Sequence, residues 1–187
     1  MLTLFMKRGF TMLTLDEIGQ SVRNNIQLVI DHFGLPLAVG PICDDDYKIL
    51  AGGFGELAWD CGLSSYGNHP DRYEFCIKLV TQNGVQSIPS GAALCVYDVE
   101  SRIFCIHMIE NFERDDQEHP LTGRMALISI MSAIIFCKAV DGQAVHIDDP
   151  VPELHNYYSS FGFMMMPCGG RMEAEVGNLL GVFEQFS

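Results

Sequence analysis

Positive charge is what this chain of 187 residues has least of: 11 Lys and Arg stand against 24 Asp and Glu, a formal net charge of −13. So few cations leave no basic face to neutralise phosphates, and direct nucleic-acid binding is not expected. The carboxylate excess suits a cationic substrate such as an amine, although solubility alone accounts for most acidic surfaces. Long hydrophobic runs are missing too. The longest, Met125 to Cys137, is interrupted by Ser129 and Ser132 and is too short to cross a bilayer. The amino-terminal MLTLFMKRGFTMLTL has a basic pair but neither a long apolar centre nor a small-residue cleavage site, so a cytoplasmic protein without membrane contact is expected. MLTL at Met1 and again at Met12 fits alternative starts (Met1, Met6 or Met12), chance, or a strand before the first helix.

Metal and disulfide signatures are absent as well. The seven cysteines are odd in number and scattered through mostly apolar runs; no two form CxxC, and no His pair has zinc-finger spacing. They read as reduced core thiols, and no metal is expected. Cys61 in WDCG has no surrounding signature of a nucleophile. Asp148-Asp149 before Pro150 reads as a turn, although two adjacent acids also offer oxygen ligands to a cation.

What the chain does have is a core. Hydrophobic residues make up 48% and charged ones 19%, which describes a folding sequence, and the length asks for one domain over residues 1–187. Thr14 and Glu17 make a capping box, and Leu15, Ile18, Val22, Ile26, Val29 and Phe33 recur at helical spacing, so a helix is predicted from Leu15 to Phe33. Leu37 to His69, rich in glycine and aspartate, reads as short helices and loops. Tyr73 to Thr81, Ala92 to Val99 and Ile103 to Phe112 are β-branched and aromatic and read as consecutive antiparallel strands, with turns at Asn83-Gly84 and Pro89-Ser90-Gly91 and a hairpin at Asp98 to Arg102. Thr122 to Val140 is a buried helix capped by Thr122 and ended by Asp141-Gly142. A strand over Gln143 to Ile147, a short helix over Pro152 to Ser160, and strands over Phe161 to Met166 and Asn178 to Phe186 complete the order. The class is α+β (mixed α/β), with parallel pairing where the long helix crosses over.

The segment Asn156 to Phe163 (NYYSSFGF) places Tyr158 four residues before Gly162-Phe163, at the join of a late helix and the next strand. This spacing and the element order resemble the GNAT superfamily of acyl-CoA N-acyltransferases over residues 73–167. The resemblance implies a central, mostly antiparallel sheet flanked by helices, acetyl-CoA as acyl donor, and transfer to a small-molecule or peptide amine. It also implies roles: Tyr158 as the acid that protonates the departing thiolate, and Glu110 or His107 as the base for the amine. Strict alternation along Ile103 to Phe112 puts Glu110 with Phe104, Ile106 and Met108, and His107 on the opposite face. The strand amides of Ile109, Glu110, Asn111 and Phe112 would hold the pantetheine arm. Leu121, Thr122, Gly123, Arg124 and Met125, at the opening of the long helix, would receive the pyrophosphate on orphan N–H groups. That loop departs from the family pattern, with Pro120 at its basic position and Met125 at its second small one, which keeps a second reading in view: the same fold as a non-catalytic acidic binding or inhibitor protein. Exposed ends of the last strands would suit a homodimer.

Overall fold

The computed structural model describes residues 13–65, 69–82 and 88–184. The possible starts at Met1, Met6 and Met12 and the Asn83-Gly84 turn lie outside the described residues. Helix α1 spans Leu15–His32 and opens on the expected capping box: Thr14 Oγ1 accepts from Glu17 N–H, and the Glu17 carboxylate accepts from Thr14 N–H at 2.7 Å. Ile18, Val22, Ile26 and Ile30 form its buried stripe, whereas Phe33, counted with that stripe in the sequence, caps the helix and is exposed. The stretch read as loops and helices begins with a short strand instead. Strand β1, Leu37–Gly40, pairs antiparallel with β2, and the Gln27 amide of α1 fixes it by donating to Leu37 O and accepting from Val39 N–H. Helices α2, Asp44–Ala51, and α3, Trp59–Ser65, follow as expected.

Strands β2, Arg72–Thr81, β3, Gly91–Asp98, and β4, Ile103–Asn111, form the antiparallel meander predicted. Helix α4 spans Met125–Val140, later than expected, because the Thr122 hydroxyl donates to Asp116 O in the preceding turn rather than capping the helix. Ser129 and Ser132 are fully buried in α4, each donating to the carbonyl four residues back, so an almost wholly apolar helix carries two hydroxyls without orphaned groups. Strand β5 is Ala144–Asp148; a 3-10 turn, Pro152–Leu154, leads into α5, His155–Ser160. Strand β6 is only Met164–Met165, β7 is Arg171–Glu175, and Val176–Glu184 forms helix α6. The last strand therefore precedes the segment assigned to it. Short apolar runs such as VGNLLGV fit either period, and among the described side chains of α6 Val176 and Leu179, three apart, are buried.

The seven strands form one sheet in the order β1-β2-β3-β4-β5-β7-β6, parallel only between β4 and β5. One face packs on α1 and α4 through Tyr73, Phe75, Tyr97, Phe104 and Phe136. The other carries a smaller cluster of Leu50, Trp59, Ala92 and Leu94 beneath α2 and α3.

The register of β3 on β4 contains a slip: Cys95 faces Ile106 and Leu94 faces Met108, so His107 is an extra residue in β4. A bulge of this kind reverses the alternation beyond it. Phe104, Ile106 and Ile109 pack on the α1/α4 side, while Met108 and Phe112 join the Trp59 cluster. The expectation that Glu110 and His107 face opposite sides is thereby corrected. With Ala92 opposite it, Glu110 shares the face of Met108 and His107.

Candidate active site

The bulge coincides with the end of the β4–β5 pairing. The two parallel strands are in register from Ile103/Ala144 to Ile106/Ile147 and then part. Phe112 N–H donates to Ser90 O, just ahead of β3. Because amides alternate along a strand, those of Ile109 and Asn111 point the other way, into the gap that β5 has left. Two cavities open along this gap. One, of about 320 Å³, is lined by Ile109, Asn111, Gly123, Arg124, Met125 and Tyr158 among others. The second, of about 300 Å³, is lined among others by Ile106, His107, Ile109, Asp148, Leu57 and Tyr158. Tyr158 and Ile109 stand in both walls.

Tyr158 reaches this position through the turn after α5. The N–H groups of Phe161 and Phe163 both donate to Tyr158 O, and Gly162 adopts φ of 97°, a conformation natural to glycine alone. The ring is 4% exposed and packs against Tyr157 and Phe163. Burial pushes its phenol up to about 12, so the hydroxyl keeps its proton across ordinary pH.

The opening of α4 differs from a bare glycine-rich loop. Met125, whose size conflicts with the family pattern, is buried in the α1/α4 core, so its side chain points into the protein. Gly123 has φ of 72° with open space about it. The Arg124 guanidinium donates to Pro120 O at 2.7 Å. Leu121 is wholly buried in the same core, and the Thr122 hydroxyl is engaged with Asp116 O. Of the residues proposed from sequence, the first cavity thus gathers Ile109, Asn111, Gly123, Arg124, Met125 and Tyr158; Leu121, Thr122, Glu110 and Phe112 do not line either one.

Glu110 has a different environment from the one expected of a base. It is 5% exposed, and its carboxylate accepts from Glu56 N–H at 2.6 Å, Leu57 N–H at 3.3 Å and Trp59 Nε1–H at 2.7 Å, with the Arg114 guanidinium 3.8 Å away. Gly55 approaches so closely that a Cβ there would lie 2.8 Å from Glu110 Cδ. The carboxylate therefore pins the segment ahead of α3 onto the sheet, and Phe112 packs beneath it against Phe54 and Trp59.

His107 faces the second cavity, and its Nδ1 lies 2.7 Å from Asp148 Oδ2. The other oxygen of Asp148 accepts from Arg171 Nε at 2.5 Å. Burial acts to raise the Asp148 carboxyl, but the bonds from His107, Arg171 and Cys105 outweigh it and hold the group well below the usual carboxylate range. Sequence reading takes the Asp148-Asp149 pair as a turn or as oxygen ligands for a cation and does not single out Arg171; it links neither to His107. Of the Asp148-Asp149 pair only Asp149 makes the turn, with φ of 42°, while Asp148 ends β5. No local pattern announces a cross-strand contact to residue 107.

No family model matches the chain, and no curated protein matches it. Solved structures do. The complex of AtaTR with AcCoA aligns over 81% of this chain and 99% of that one, at 14% identity and TM-score 0.57. The KacTA–DNA complex aligns over 80% and 99%, at 13% and 0.56. A spermidine N-acetyltransferase SpeG chimera from Vibrio cholerae and hSSAT aligns over 78% and 98%, at 14% and 0.55. With its mostly antiparallel seven-stranded sheet, parted at β4 and β5, the chain has the GNAT acetyltransferase fold. Among the described residues no helix is long and apolar enough to cross a membrane.

Proposed function

We propose that the chain is an acyl-CoA-dependent N-acetyltransferase acting on an amine. The observation that carries this reading is the parting of β4 from β5 beside Tyr158, which leaves strand amides, a helix opening and a protonated phenol around one cleft. The amides of Ile109 and Asn111 and the segment that opens α4, Gly123 to Met125, would hold acetyl-CoA; Met125, turned into the core, leaves that opening clear. When bound, acetyl-CoA supplies an activated acyl thioester. The structural likeness to an AcCoA-bound complex and to a spermidine N-acetyltransferase supports both donor and acceptor class.

The chain's own part is positioning and proton handling. Tyr158 holds on Oη the proton that a departing thiolate needs. His107 is better placed than Glu110 to take the amine proton, since Glu110 is occupied by three N–H donors. Asp148 accepts from Nδ1 and thereby directs the basic lone pair of the neutral ring to Nε2. The acidic balance of the chain favours a cationic acceptor.

Thiol release from acetyl-CoA, followed with spermidine and with a lysine-containing peptide as acceptors, tests the reading. Amine-dependent release is expected, slowed in Tyr158→Phe. Release that needs no amine, or a Tyr158→Phe rate equal to that of the unaltered chain, would contradict it.

A further inference from the structure

The face of the sheet away from α1 and α4 carries a polar array that acyl transfer does not need in full. Cys105 and His107 stand two residues apart on β4, His146 and Asp148 two apart on β5, and Glu173 and Arg171 opposite them on β7. Three of these converge. Cys105 Sγ is 4.0 Å from His107 Nδ1, His107 Nδ1 is 2.7 Å from Asp148 Oδ2, and the three donor atoms all lie within 4.8 Å of one another. Cys105 and His107 line a cavity of about 250 Å³ together with His146 and Arg171, and Asp148 stands with His107 in the wall of the neighbouring cavity of about 300 Å³.

We propose that Cys105 Sγ, His107 Nδ1 and Asp148 Oδ2 form a binding site for a single zinc ion. One sulfur, one nitrogen and one oxygen donor suit Zn²⁺, whereas Mg²⁺ and Ca²⁺ take oxygen shells. Zinc bonds of about 2.0–2.3 Å require the donors to surround a common point, so binding would replace the His107–Asp148 hydrogen bond and turn the three donors, already within 4.8 Å of one another, toward the ion. The cavity beside Cys105 and His107 leaves room for the fourth, open position of a tetrahedral site. Arg171 acts from outside, since its bond to Oδ1 orients the carboxylate with Oδ2 toward the other two donors. Its positive charge lowers affinity, and the Glu173 carboxylate, 2.9 Å from His146 Nε2, lies on the neighbouring register position to offset it.

Occupancy has a consequence for the cleft, and that consequence, unlike binding itself, rests on the acetyltransferase reading. An imidazole that coordinates through Nδ1 carries its proton on Nε2 and has no lone pair there for an amine. Zinc would therefore switch off proton removal by His107 while leaving the acetyl-CoA side of the cleft intact.

The test is a titration of the full, phosphine-reduced chain with Co²⁺, followed by Zn²⁺ displacement. One equivalent of Co²⁺ should give the intense visible spectrum of a four-coordinate ion with a thiolate charge-transfer band, and one equivalent of Zn²⁺ should abolish it. Cys105→Ser should remove the charge-transfer band, and Asp148→Asn should weaken binding by more than the roughly 10–100-fold typical of an outer-shell partner, with folding checked by circular dichroism. Absence of a thiolate band in the unaltered chain, or its survival in Cys105→Ser, overturns the site. Stoichiometric binding without inhibition of transfer supports the site and overturns the assignment of the base to His107.

Discussion

Individual side chains divide the labour of the cleft. Burial pushes the Tyr158 phenol up to about 12. A raised value widens the range in which an acid stays loaded, so no fall in rate below about pH 11 should trace to this group. The comparison is a kcat–pH profile of the unaltered chain with that of Tyr158→Phe, whose kcat is expected to drop about 100-fold or more with KM little changed, as for loss of a positioned acid. Glu110 makes the opposite prediction. Glu110→Gln turns one acceptor into a donor facing buried N–H groups and should cost about 1–3 kcal/mol in urea unfolding, with kcat per folded molecule retained. A large kcat loss without a stability change would restore Glu110 as the base.

Two elements each have a point that fails alone, α5 at the turn that seats Tyr158 and α2 at its tie to the sheet. Gly162 closes α5 in a left-handed turn, so Gly162→Ala should destabilise the chain by about 1 kcal/mol or more and lower kcat by shifting Tyr158; melting temperature and turnover read the two effects. Helix α2 is tied to β2 by Asp46, which is buried and accepts from Cys43 N–H at 2.8 Å and from Lys78 Nζ at 2.5 Å. Burial pushes this carboxyl up, but the bonds from Cys43 and Lys78 outweigh it and leave it below its ordinary value. With the folded value the lower one, the contribution is complete above the unfolded carboxyl value of about 3.9 and is lost as pH falls through the folded value. Asp46→Asn should therefore lower stability at pH 7 by roughly 3–5 kcal/mol and flatten the acid limb of the unfolding curve.

The same scale shows what could be read in advance. The capping box of Thr14 and Glu17 located α1 because its bonds are local, and β-branched runs located β2 to β4 because each is long enough to show its period. The four-residue β1 shows no period, and the sequence of α6 reads equally as a strand because a short apolar run is ambiguous. The bulge at His107 could not be read at all. It is a relation between two strands, and it moved Glu110 and His107 onto one face against strict alternation. Tyr158 was legible through its spacing to Gly162, a backbone requirement written in sequence, whereas Asp148 and Arg171 become partners only through β5–β7 pairing.

For the whole molecule, the fold opens a cleft between diverging strands, and the proposed function requires that cleft to receive acetyl-CoA. Isothermal titration of the unaltered chain with acetyl-CoA tests this most directly. Binding of one molecule per chain is expected with a Kd within roughly 1 μM–1 mM, the ordinary range for enzyme substrates, weakened when Gly123→Trp fills the space beside the α4 opening. No heat of binding at millimolar acetyl-CoA would contradict it.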